Sequence, residues 1–309
     1  MKRVLVIRYG ALGDMVLCLG AFRAIRAHHP DDEIVALTTP PFADFVGQSG
    51  LFDRVLTDRR ARWRGWLGLI RRLRAERFHR VYDLQRNQRS AILYRAMRAG
   101  RRLEWSGVVR GCSHFVADDP ADRRHVALKL DEQLRAAGLP GLLEPDISWL
   151  GGEVARYRLP RDYVLLAAGS TPRRPEKRAA PECFAGVAQH LAARGFAPVL
   201  IGTEQEGAAI ACIRALCPAA IDLSGRTGLG DIAALARGAR GAIGNDTGPM
   251  HLIALAGCPS LVLYSAASDP ARVAPRGRRV ESLQCDRLDR LDPASVIAAW
   301  ERLGVELPA

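Results

Sequence analysis

Several things the chain lacks narrow its identity at once. Its cysteines number seven, none stands in a Cys-x-x-Cys pair, and most sit in apolar stretches. That excludes a disulfide framework and leaves buried free thiols. No group of His and Cys has metal-ligand spacing, so no metal is expected. No run of about 18 apolar residues exists, which excludes a membrane span. The apolar stretch at the N-terminus is interrupted at Arg8, too early for a signal-peptide core, so the sequence predicts a cytoplasmic protein. Glycine and proline are scattered without period, and no solenoid-length repeat is present. No Gly-x-Gly-x-x-Gly follows the first strand-like segment, which makes a dehydrogenase the weakest candidate; no cofactor is expected.

What the chain has in excess is arginine, and in one place. Residues 57–110 hold 16 Arg against four acids, which accounts for the whole formal charge of +12. Such a field suits an anionic partner: phosphate, nucleic acid or an acidic membrane face.

Strand and helix signals alternate along 309 residues, of which 48% are hydrophobic. Strands are predicted at 3–8, 33–38, 54–57 and 80–85, with helices at 15–27, 42–49, 63–78, 88–99 and 124–137. After a Gly/Pro-rich stretch at 138–161 the pattern restarts. Strands follow at 162–169, 197–202, 220–224, 241–244 and 260–264, and helices at 181–195, 204–217, 231–239, 248–257 and 293–304. This alternation predicts an α/β protein of two doubly wound parallel-sheet domains, 1–150 and 151–309. In such sheets ligands bind beyond the carboxyl ends of the strands, and two facing halves would share a cleft.

Three loops at predicted strand ends carry chemistry. In RYGALGD (8–14), Gly10 and Gly13 permit a tight turn, and Asp14 reads either as a helix N-cap or as a site carboxylate. In AAGSTPRRPEKR (167–178), Ser170 and Thr171 precede Arg173, Arg174, Lys177 and Arg178. Hydroxyls beside cations suit a diphosphate; a solvated basic loop is the other reading. In GAIGNDTGPMH (241–251), the amides of Thr247, Gly248 and Met250 are expected to be free at a helix tip carrying about half a positive charge. Asp246 would oppose a bare phosphate there, so sugar hydroxyls are expected beside it. Capping by Asp246 or Thr247 and a partly buried His251 are the structural alternatives for the single residues.

These blocks resemble glycosyltransferase family 9, the heptosyltransferases of lipopolysaccharide core assembly. The resemblance rests on VLVIRYGALGDMVLCLGAFRAIRAHHP at the start, YDLQRNQRS (82–90), AAGSTPRRPEKRAAPECFA, IGTEQE (201–206), IGNDTGPMHLIALAG (243–257) and YSAASDP (264–270). It implies a GT-B fold, an inverting transfer without a bound metal, a nucleotide-sugar donor (typically an ADP-heptose) held by the C-terminal domain, and a lipid-linked saccharide acceptor on the N-terminal domain. Carried over residue by residue, Asp14 is the general base. Ser170, Thr171 and Lys177 bind the diphosphate, Glu206 or Glu204 the nucleoside, and Asp246, Thr247, Gly248 and His251 the sugar and phosphates. Gly13, Gln85, Asn87 and Arg89 fall on the acceptor side. The chain departs from the family pattern at Gly20 (usually proline), Arg86 (usually glycine) and Ala179 (usually tryptophan).

The segment RWRGWLGLIRRLRAERF admits two readings. Its Trp63, Trp66, Leu67, Ile70 and Leu73 form one helical side, suited either to packing on a sheet, which is favoured, or to an anionic membrane surface. The basic face then offers peripheral contact with the inner membrane through 57–110. Other readings are a different GT-B enzyme, transferase or epimerase, and a basic nucleic-acid- or membrane-binding protein without catalysis. No nucleic-acid motif is present, so no specific nucleic acid is expected.

Overall fold

A computed structural model describes residues 2–59, 63–170 and 174–308. The chain divides into two compact units, Met1–Trp149 and Leu150–Ala309. Each is built on a six-stranded parallel sheet.

In the first unit the strands are β1 (Arg3–Ile7), β2 (Glu33–Thr38), β3 (Arg54–Thr57), β4 (Arg80–Asp83), β5 (Glu104–Gly107) and β6 (His114–Phe115), in the order β3-β2-β1-β4-β5-β6. The helices are α1 (Leu12–Leu17), α2 (Leu19–His28), α3 (Ala43–Gln48), α4 (Trp63–Ala75), α5 (Gln88–Arg98) and α6 (Val126–Ala136). The second unit repeats the plan. Its strands are β7 (Tyr163–Ala167), β8 (Ala197–Leu200), β9 (Ile221–Asp222), β10 (Gly241–Asn245), β11 (Ser260–Tyr264) and β12 (Val280–Gln284), ordered β12-β11-β10-β7-β8-β9. Its helices are α7 (Pro181–Ala193), α8 (Gly207–Leu216), α9 (Leu229–Gly238), α10 (Gly248–Leu255), α11 (Pro270–Val273) and α12 (Pro293–Arg302). Read from the other edge, the second order is that of the first, with the strand sequence reversing between the first and fourth strands of each unit. That reversal opens a crevice at the carboxyl ends of β1 and β4, and of β7 and β10.

The central strands are buried on both faces, as parallel sheets require: VLVI in β1, all of β2, and all of β7, β10 and β11. The strands missing from the sequence reading are β5, β6 and β12. Their short stretches EWSG, HF and VESLQ carry acids, small residues and exposed positions, so they lack an apolar strand signature. The helix expected over 15–27 starts at Leu12 and is interrupted at Cys18. Just beyond, Gly20 lets the chain segment at 142–144 pass close by: a Cβ there would lie 2.4 Å from the Leu143 carbonyl oxygen. Proline, which the family pattern would place at that position, meets the same obstacle.

Among the described residues the arginines of the basic region are of two kinds. Arg74, Arg98 and Arg101 donate to backbone carbonyls, Arg80 pairs with Glu104, and Arg86 pairs with Asp118. Arg71, Arg72, Arg95, Arg102 and Arg110 are exposed. On α4 the apolar side packs inward through Leu73, Trp66 and Ile70, the favoured reading. Leu67, expected on that side, points outward at 42% exposure. Among the described residues no helix is long and apolar enough to cross a membrane.

Candidate active site

At the carboxyl end of β1, Asp14 stands in the first turn of α1. It is not the N-cap; that position is Ala11, which makes no side-chain cap bond. Its carboxylate instead pairs with Arg8, Nη2 to Oδ1 at 2.9 Å, and is 44% exposed. Arg8 is almost wholly buried and also donates to the Leu84 carbonyl at 2.5 Å, so it ties the end of β1 to the loop after β4. Its neighbour Tyr9 donates its amide to Gln85 Oε1 at 2.8 Å. Gly10, at φ +90°, makes the turn possible: a Cβ there would lie 2.2 Å from Phe42 Cε2. Gly13 is buried under the same turn.

The other expected acceptor-side residues stand at this end of the sheet, with local duties. Asn87 caps α5 by accepting from the Ser90 amide at 3.1 Å. Arg89 grips Asp58 with two bonds, 2.8 and 3.0 Å, and lies 3.9 Å from the centre of the Trp66 ring. Asp58 is only 4% exposed, so this pair holds α5 and α4 to the end of β3. Arg86 adopts φ 53°, the conformation the family's glycine would favour. Its side chain is engaged elsewhere, on Asp118 and the Lys129 carbonyl. Beneath the loop Asp83 is fully buried, and burial pushes its carboxyl up to about 6. A cavity of about 370 Å³ opens beside Gly10, lined in part by Tyr9, Thr39, Phe42, Asp58 and Arg59.

In the second unit the loops after β7 and β10 are pinned together by Asn245. This buried amide donates to the Ala168 carbonyl at 2.7 Å and accepts from the Ala179 amide at 3.1 Å. Between those ties lie Ser170, buried, and Lys177, at the end of a short 3₁₀ turn Pro175–Lys177. Thr171 and Arg173 lie outside the described residues. Lys177 Nζ is 2.6 Å from Asp246 Oδ2, and the Ser268 hydroxyl donates to that same oxygen at 2.8 Å. The Asp246 carboxylate therefore caps nothing. Thr247 occupies the N-cap position of α10 without a side-chain cap bond, and its buried hydroxyl has no hydrogen-bond partner among the described residues. His251 is buried one turn in. The sequence expected the Met250 amide to be free as well; it donates to Thr247 O at 3.2 Å, because the first turn tightens, so Thr247 and Gly248 remain as tip donors. Tyr264 lies under the corner, where burial and the charge of Asp246 push its phenol up.

Glu206 folds back on its own turn, accepting from the Thr203 amide at 2.7 Å and hydroxyl at 2.6 Å. It lies so close to Gly169 that a Cβ there would sit 2.6 Å from Glu206 Cγ. Glu204, in the same turn beyond β8, is exposed. Sequence reasoning missed Arg8, Asn245 and Ser268. Arg8 left a signal, a charge closing an apolar strand; Ser268 left only its place in the YSAASDP block.

The family model for glycosyltransferase family 9 (heptosyltransferase) matches residues 66–290. The chain belongs to glycosyltransferase family 9. No curated protein sequence matches it. Among solved structures, this family 9 transferase is similar to Escherichia coli ADP-heptose lipopolysaccharide heptosyltransferase II, with 21% identity over 98% of both chains and a TM-score of 0.76. It is also similar to the family 9 glycosyltransferase of Veillonella parvula, with 22% identity over 98% of this chain and 97% of that one, at a TM-score of 0.74. For E. coli heptosyltransferase WaaC with ADP the values are 20% identity, 98% and 100% coverage, and 0.73. The fold of the transferase is GT-B, two Rossmann-like parallel-sheet units.

Proposed function

We propose that the transferase moves a heptose from ADP-heptose to a lipopolysaccharide-core-type glycolipid, with inversion and without a metal in the reaction. The observation that carries this reading is the Lys177–Asp246–Ser268 corner at the tip of α10: a cation, two tip amides and a fixed carboxylate. Lys177 and the amides of Thr247 and Gly248 suit a diphosphate, and Asp246 suits the sugar's hydroxyls. Ser170 and Thr171 join the phosphate side, His251 the sugar side, and Glu204 or Glu206 the nucleoside. ADP as the nucleotide is supported by the neighbours whose names include ADP or ADP-heptose.

Asp14 acts as general base in this scheme, oriented by Arg8. It takes the proton of the acceptor hydroxyl as that oxygen bonds to the anomeric carbon. The bond from that carbon to the β-phosphate oxygen breaks on the opposite face, and ADP departs with its new charge met by Lys177 and the helix tip. Gly13, Gln85, Asn87 and Arg89 belong to the acceptor side, Asn87 and Arg89 by shaping it.

The direct test is Asp14→Ala. It retains donor binding and loses transfer; full turnover removes Asp14 from the role of base. A thermal-shift series with ADP-, UDP- and GDP-sugars tests the donor, since a ligand that binds the folded state raises Tm. A shift confined to UDP- or GDP-sugars redirects the reading to another transferase, and an isomerised nucleotide sugar without acceptor product redirects it to an epimerase. Contact with anionic membrane through 57–110 is supported by the exposed Leu67 beside the exposed Arg71 and Arg72. Vesicle pelleting tests it: equal recovery with anionic and neutral lipid removes the membrane, and salt-sensitive binding to any nucleic acid alike marks mere charge attraction.

A further inference from the structure

We propose that His29, Asp32 and His79 form a binding site for one divalent cation of the zinc class, at the amino ends of β1, β2 and β4. Within the first unit the site lies at the opposite end of the sheet from the acceptor-side loops, which stand at the carboxyl ends of β1 and β4. It is invisible in the sequence because His79 arrives from the turn before β4, while His29 and Asp32 belong to the turn between α2 and β2.

The donor atoms are already gathered. One ligand atom from each residue lies within 4.8 Å of the others. His29 Nδ1 and Asp32 Oδ2 are 3.0 Å apart, near the separation of about 3.2 Å between two ligands held tetrahedrally at bonds of about 2.0 Å. His29 is buried, and the other two are half-buried, so the pocket is sheltered but reachable.

The remaining imidazole nitrogens are held as a metal site requires. His79 Nδ1 donates to the Arg3 carbonyl at 2.8 Å, which fixes its tautomer and leaves the Nε2 lone pair for an ion. His29 Nε2 is 2.9 Å from the Tyr82 hydroxyl, an oxygen that accepts its proton when Nδ1 is metallated. Asp32 Oδ1 is fixed by the Lys2 amide at 2.9 Å, leaving Oδ2 as ligand. Two guanidiniums stand near the cluster and both are engaged: Arg80 on Glu104 and Tyr82, and Arg26 on Asp53 and on the His29 and Asp32 backbone carbonyls. Two imidazoles and one carboxylate, completed by water, select zinc-like ions over magnesium or calcium, which prefer oxygen alone. A bound ion would staple the turn after α2 to the turn before β4 and stabilise the first unit.

The test uses the full-length protein stripped with EDTA and titrated with Zn²⁺ by calorimetry, with melting temperature followed in parallel. One Zn²⁺ per chain and a raised Tm are expected, with no step for Mg²⁺ or Ca²⁺. Asp32→Asn and His79→Gln each abolish the step; Tyr82→Phe weakens it by about tenfold. Asp32→Asn keeps the acceptor for the Lys2 amide, so a loss of zinc with an unchanged zinc-free Tm separates ligation from folding. Cys212→Ser and Cys285→Ser retain the step, and Co²⁺ gives d–d absorption without a thiolate charge-transfer band. Absence of the step, its survival in both ligand variants, or its loss with either cysteine overturns the site. None of these readouts depends on transferase activity.

Discussion

Replacing Lys177 by alanine tests the donor corner most directly. Its ammonium lies 2.6 Å from Asp246 Oδ2, and the two side chains are 19% and 8% exposed, so solvent screens the pair weakly. Two effects follow from its removal. A charge-assisted hydrogen bond to the diphosphate is lost, about 1.5–3 kcal/mol, or roughly ten- to 150-fold in Kd. The Asp246 carboxylate is then left with Ser268 as its side-chain donor and repels the incoming phosphates, which pushes the loss toward the upper figure. The same orphaned carboxylate costs the fold about 1–3 kcal/mol. Calorimetry with ADP and ADP-heptose, beside thermal melts, separates these effects. Lys177→Ala binds both ligands weakly and melts lower. Lys177→Ala combined with Asp246→Asn recovers most of the stability and part of the ADP affinity, because the repulsion is gone. Lys177→Arg keeps the charge but brings a wider, planar head, and recovers little. The chain uses lysine only three times among 45 basic residues, so retention of lysine here fits a need for a compact point charge. Folded Lys177→Ala that binds ADP-heptose within about twofold of the parent protein refutes the diphosphate contact.

Other consequences are open to measurement. Asp83 has a folded value of about 6 against about 3.9 unfolded, so the folded state holds the extra proton between those values. Its contribution is therefore fully present below about pH 4 and is lost as pH rises through about 6, a fall of about 3 kcal/mol. Asp83→Asn should gain stability relative to the parent across that window and hold the gain above it; parallel denaturation curves from pH 4 to 8 contradict this. Arg89→Met removes the ion-pair partner of the buried Asp58 and should cost about 3 kcal/mol in urea denaturation, whereas a residue serving the acceptor alone would leave stability unchanged. Gly20→Ala forces a methyl against the Leu143 carbonyl and should destabilise by about 1–3 kcal/mol, with an unaltered Tm counting against the packing described.

Much of the fold was written locally. Alternating apolar strands and helices gave two parallel sheets because buried parallel strands such as EIVALT and SLVLY must be apolar on both faces. The edge strand β12 escaped notice because VESLQ is largely exposed, and β5 because EWSG is only four residues long and fills its buried positions with a tryptophan and two small residues. At the site, loops at strand ends could be singled out, since an acid, a hydroxyl and glycines before an apolar helix serve no turn by themselves. What each side chain does there could not be read. Asp14 stands inside the first turn of α1 and is held by Arg8, and Asp246 precedes the N-cap of α10 and is held by Lys177 and Ser268; neither the cap positions nor these long-range contacts are visible in the local sequence. Arg89 adds a structural duty the sequence did not show: its guanidinium is held by Asp58 and lies over Trp66.

Asn245 has a mechanical corollary. One amide grips the chain on both sides of the 170–178 segment, at the Ala168 carbonyl and the Ala179 amide, so the segment is clamped at its two roots. The asparagine amide offers a donor nitrogen and an acceptor oxygen on separate atoms; aspartate would face the Ala168 carbonyl with a lone pair, and leucine would release both roots. Lys177 stands two positions from the second clamp, which holds its ammonium near Asp246. Both roots are held from the end of β10, so the position of Lys177 is tied to that strand rather than to the residues between the roots.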